Sequence, residues 1–116
     1  MSYVQMTIDS VRHAMHRDEW LILLKGKDGH RCLPVYVDKV WADAVGKVLR
    51  GEDTGLPIDD EVEKVVVMGS EATLVIDRNG DSFKARFVGQ GDEHIECSVG
   101  KGLAMAARGG VKVLFH

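Results

Sequence analysis

Cys32-Leu33-Pro34-Val35-Tyr36-Val37-Asp38-Lys39-Val40-Trp41-Ala42-Asp43-Ala44-Val45 changes its hydrophobic period part-way along, and the fold follows from where it changes. Up to Val37 the run is short, apolar and β-branched, as a strand is. Pro34 has no N–H to give to a ladder, so this strand belongs near an edge or an end of its sheet. From Val40 the apolar residues Val40, Trp41, Ala44, Val45, Val48 and Leu49 recur at helical spacing. Between the two patterns, Asp38 is placed to cap the helix with its carboxylate, and Gly51 is a natural stop.

Working outward toward the start, Val4, Met6 and Ile8 alternate with polar residues, which predicts a half-buried strand over 4–9. Arg17-Asp18-Glu19 interrupts the pattern. Trp20-Leu21-Ile22-Leu23-Leu24 follows as a strand apolar on both faces, and Gly26-Lys27-Asp28-Gly29 is a turn. Toward the end, strands are predicted over 72–77 and 82–88, joined by a hairpin at Asn79-Gly80, and over 94–97 and 111–115. Ser98 opens a helix over 99–108 that stops at Gly109-Gly110. The segment 58–69 has conflicting signals. Val65-Val66-Val67 favours a strand, but Ile58, Val62, Val65 and Val66 share a helical face, and acidic residues crowd the first turn. A helix is expected there. The prediction is a single α+β domain over 1–116, with a mixed sheet and three helices in the order βββ-αα-βββ-α-β.

The 116 residues are 45% hydrophobic, enough for one core and not for two. The net charge of −3 lacks the basic excess of a general nucleic-acid binder, so any basic contact surface is local. Cys32 and Cys97 have no metal-ligand spacing and are expected as reduced, buried thiols of a cytoplasmic protein. No leader pattern and no span of membrane length is visible, so a membrane location is not expected.

Three stretches together resemble the bifunctional nuclease domain family: Leu33-Pro34-Val35-Tyr36-Val37, the following Ala42-Asp43-Ala44-Val45, and the closing Ile95-Glu96-Cys97 with Leu103-Ala104-Met105-Ala106-Ala107-Arg108-Gly109-Gly110. The likeness runs from about Val4 to Phe115. It implies cleavage of RNA or DNA phosphodiester bonds. The chain departs from the family at three places. Asp38-Lys39-Val40-Trp41 stands where the family has Gly-Pro-x-Glu, Asp59-Asp60 where it has His-Asp, and Ser98-Val99-Gly100-Lys101 where it has Arg-Pro-Ser-Asp.

Asp60 matches the family's aspartate. With Asp59 it is the candidate for catalysis, and it is the candidate ligand for a divalent metal such as magnesium. Three consecutive helical residues diverge by about 100° each, so Asp59, Asp60 and Glu61 do not all reach one ion, and the same carboxylates also suit a helix start. Ser98, Gly100, Lys101 and Gly102 form a second candidate, an anion site with free amides and a lysine at a helix start. The alternative is a loosely wound turn whose glycines permit close packing. Of the five histidines, no spacing selects a general base. Trp20 and Trp41 are candidates for stacking on bases or for burial, and Trp41 in particular for a subunit contact. A homodimer is expected, of about twice 12.8 kDa. The non-catalytic alternative on this fold is an oligomeric binding module or an anion or small-molecule sensor.

Overall fold

The computed structural model describes residues 3–29, 31–52, 72–80, 82–89 and 94–116. Within them the chain forms β1 (Val4–Ala14), β2 (Glu19–Gly26), β3 (Cys32–Val37), α1 (Lys39–Leu49), β4 (Thr73–Asn79), β5 (Ser82–Val88), β6 (His94–Cys97), α2 (Val99–Gly109) and β7 (Lys112–Phe115). The seven strands make one sheet in the order β3-β2-β1-β7-β4-β5-β6. All pairs are antiparallel except β4 with β7, so the sheet is mixed.

The α+β class stands, but the expected three helices in the order βββ-αα-βββ-α-β are corrected. The described residues hold two helices and run βββ-α-βββ-α-β. The helix expected over 58–69 lies outside them. Strand also takes more of the chain than alternation suggested. β1 runs past Asp9 to Ala14, because its register against β2 slips between Ile8 and Ser10. One extra residue there moves the inward-facing set from Met6 and Ile8 to Val11 and His13, so the pairing continues although strict alternation fails.

β3 is an edge strand, which is where Pro34 is tolerated. Both helices pack on the sheet and on each other. Ile22, Leu24, Val35, Val45, Leu74, Ile76, Phe87 and Leu103 are fully buried between these layers. Burying one such side chain contributes about 1.5–3 kcal/mol, so this cluster is the main support of the fold. Among the described residues no helix is long and apolar enough to cross a membrane. The two cysteines expected to be buried are not: Cys32, on the edge strand β3, is exposed, and Cys97 is half-buried.

Candidate functional site

The slip in β1 also builds the most developed site. It pairs His13 with Trp20 of β2, on the same face as Val11 opposite the buried Ile22. The two rings stack at 4.0 Å between centroids and 8° from parallel. The hairpin then turns through residues 15–18, where Arg17 N–H donates to Ala14 O at 3.1 Å. Asp18 closes this turn with φ at 51°, a left-handed conformation that aspartate accepts more readily than most residues. Its carboxylate Oδ1 thereby comes to 3.0 Å from His13 Nε2. A histidine held at one ring nitrogen by a carboxylate is fixed in tautomer and orientation, and its other nitrogen is the one able to exchange a proton.

The pair lies in a cleft of about 630 Å³ whose far wall is the end of β3 and the start of α1. Tyr36, 55% exposed, and Lys39 come from that wall. Lys39 Nζ is 5.9 Å from the Trp20 ring centroid, within the range of cation–π attraction. Arg17 lines the same cleft. Asp38 also reaches it, for a reason that corrects the expected cap. Asp38 occupies the N-cap position of α1 with extended backbone, yet its side chain makes no capping bond. Its carbonyl oxygen, instead, accepts from Trp41 N and Ala42 N at 3.1 Å each. The cleft thus combines a held imidazole, two cations and several carboxylates.

The start of α2 looks different. Ser98 Oγ accepts from Lys101 N at 3.3 Å, the expected cap, and Gly102 N–H donates to Ser98 O at 2.9 Å. Gly100 and Gly102 are buried. A Cβ on Gly100 would lie 2.6 Å from Trp41 Cδ1, and one on Gly102 would lie 3.0 Å from Cys97 Sγ and 3.1 Å from Leu74 Cδ1. Both glycines therefore let α2 press against α1 and the sheet. Trp41 is half-buried and packs on the core from within the chain. Positions 41 and 100 are two at which the sequence departs from the nuclease-like pattern, and they touch each other: the bulk of Trp41 occupies the space that Gly100 leaves.

Asp59 and Asp60, the expected catalytic and metal-binding pair, lie outside the described residues. Among those described, no three His, Cys, Asp or Glu side chains converge as a metal-holding group. His116 is held in place: its backbone N–H donates to Ile76 O at 2.9 Å, its Nδ1 lies 3.0 Å from Asp77 Oδ1, and the Tyr3 ring lies 4.8 Å away. Asp77 also binds Arg86. This network ties the end of β7 to β4 and β5. The sequence reading left His13 unselected among the five histidines and did not single out Asp18 or Lys39. A histidine and an aspartate flanking a polar hairpin turn are visible in the sequence, but the slip that puts His13 on the Trp20 face is not. No protein-family pattern and no curated protein matches the chain.

Proposed function

We propose that this domain is a nuclease and that the cleft between the first hairpin and the start of α1 is where it works. The observation that carries the reading is the His13–Asp18 pair stacked on Trp20. It lies against the end of the strand Leu33-Pro34-Val35-Tyr36-Val37, one of the three stretches that together resemble the bifunctional nuclease domain. Phosphodiester cleavage needs a proton acceptor for the nucleophile and positive charge near the phosphoryl oxygens. His13 supplies the first, and Arg17 and Lys39 the second. The described residues do not offer a set of ligands for the divalent metal that the resemblance implies, so no step here is routed through one. Asp60 remains the residue to test for that role.

The experiment compares three proteins on labelled single-stranded RNA and DNA, with and without magnesium. Wild type should cleave the RNA. His13→Gln should lose activity by a factor of about 10² or more, as removal of a general base does. Asp60→Asn should lose the magnesium-dependent part of the cleavage and keep the rest. The reverse result, with Asp60→Asn inactive and His13→Gln active, would move the chemistry to the acidic cluster at 59–60. No cleavage by freshly purified wild type would end the nuclease reading.

A further inference from the structure

We infer that the cleft takes single-stranded RNA and cuts it with the RNA's own 2′-hydroxyl, His13 acting as general base; this rests on the nuclease reading of the same cleft. The argument starts from what the built part of the site can do. His13 Nε2 is engaged with Asp18 Oδ1, so a neutral ring carries its N–H toward Asp18 and its lone pair on Nδ1. Such a group moves one proton over a short distance. RNA presents a nucleophile whose single proton must be removed, already attached next to the phosphorus. DNA lacks it, and hydrolysis would need a separately bound and activated water.

The step balances within the substrate, the imidazole and solvent. The 2′-O–H bond breaks and its proton passes to His13 Nδ1, leaving an imidazolium whose charge Asp18 offsets. The 2′-oxygen forms a bond to phosphorus and the bond from phosphorus to the 5′-oxygen breaks. The 5′-oxygen leaves with a proton from solvent, and the imidazolium later returns its proton to solvent. The products are a 2′,3′-cyclic phosphate and a 5′-hydroxyl. Arg17 and Lys39 line the cleft in which charge grows on the phosphoryl oxygens.

The single-strand preference follows from the charges of the cleft. It mixes its two cations with Asp18, Glu19 and Asp38, so it lacks the uniform positive field that tracks a long duplex backbone. The volume of about 630 Å³ suits a nucleotide-sized group.

The test uses the whole chain and two oligonucleotides: one all-deoxy, and one identical except for a single ribonucleotide. Wild type should cut the second only, on the 3′ side of the ribose, leaving a 2′,3′-cyclic phosphate identified by mass. His13→Gln should lose about 100-fold or more of this cleavage at an unchanged melting temperature. Asp18 is a positioning residue whose side chain is 88% exposed, so Asp18→Asn should fold normally. It should lower kcat about tenfold with little change in KM, since it acts on the imidazole and not on binding. Cutting of both oligonucleotides with 5′-phosphate ends would leave the nuclease reading standing and overturn the RNA mechanism. Cutting of neither would overturn both. Equal cutting of the chimera by wild type and both variants would show that this cleft is not where the reaction occurs.

Discussion

The two described helices start on nearly the same backbone and are put to different uses. Asp38, before α1, has φ −69° and ψ 151°, and Ser98, before α2, has φ −66° and ψ 149°. At α2 the serine side chain turns in to cap, and the glycines behind it let the helix close down on its neighbours. At α1 the aspartate side chain makes no capping bond and faces a cleft. An unusual local sequence, Ser98-Val99-Gly100-Lys101-Gly102, therefore marks tight packing. The site is assembled instead from ordinary residues that a strand slip and a hairpin turn bring together. The two starts also meet, through Trp41 over Gly100.

The largest effect expected from this comparison is on that contact. In Gly100→Val the new Cβ would fall 2.6 Å from Trp41 Cδ1 and 3.0 Å from Cγ, and an indole so close to its backbone has little room to withdraw. Overpacking of this kind costs about 1–3 kcal/mol, and the better helix propensity of valine returns well under about 1 kcal/mol of it. Urea unfolding should show a net loss of roughly 2 kcal/mol with an unchanged slope. Adding Trp41→Ala should recover part of that loss, giving a coupling of about 1 kcal/mol in a double-mutant cycle. Additive effects would mean that the two helix starts are independent. By contrast Asp18→Asn, at an exposed position, should leave the unfolding curve where it is.

That contrast explains what could be read ahead of the structure. The strands β2, β3, β4, β5, β6 and β7, both described helices and the Ser98 cap follow from local pattern, because a period of two or 3.6 and a capping residue are recorded within a few neighbouring residues. The extent of β1 was hidden because a bulge breaks the alternation on which the reading depends. His13 could not be selected from the other histidines for the same reason. Its partner Asp18 is close in sequence, but the left-handed turn and the slip that join them are tertiary choices. Gly100 was legible as an oddity and open in meaning, since a glycine admits a ligand and a neighbouring side chain equally. Only the position of Trp41 decides in favour of packing.

A smaller effect separates the two caps. Ser98→Ala removes an oxygen that accepts from Lys101 N–H and should cost about 1 kcal/mol. Asp38→Ala removes no such bond, so only the attraction of a carboxylate to the positive end of α1 is lost, a few tenths of a kcal/mol. Thermal unfolding of the two variants side by side checks the order. A larger loss in Asp38→Ala would show that its carboxylate caps α1 in solution and is not available to the cleft.

The smallest effect concerns Lys101, and it tests whether the packed helix start retains any use as an anion site. A cation in the first turn opposes the helix dipole, and Lys101→Asp should stabilise α2 by about 0.3–1 kcal/mol. The amides of Lys101 and Gly102 already donate to Ser98, which leaves those of Val99 and Gly100 for a ligand, and Gly100 is buried beside Trp41. Any phosphate held there rests on Lys101 and one or two amides, and a millimolar affinity of about −4 kcal/mol is the most such a set should reach. Added salt should weaken it by screening. Titration with inorganic phosphate, followed through amide shifts of residues 99–102, should show small saturating changes in wild type and none in Lys101→Asp. Identical shifts in the two proteins would leave the glycines with a single role, that of letting α2 lie against Trp41.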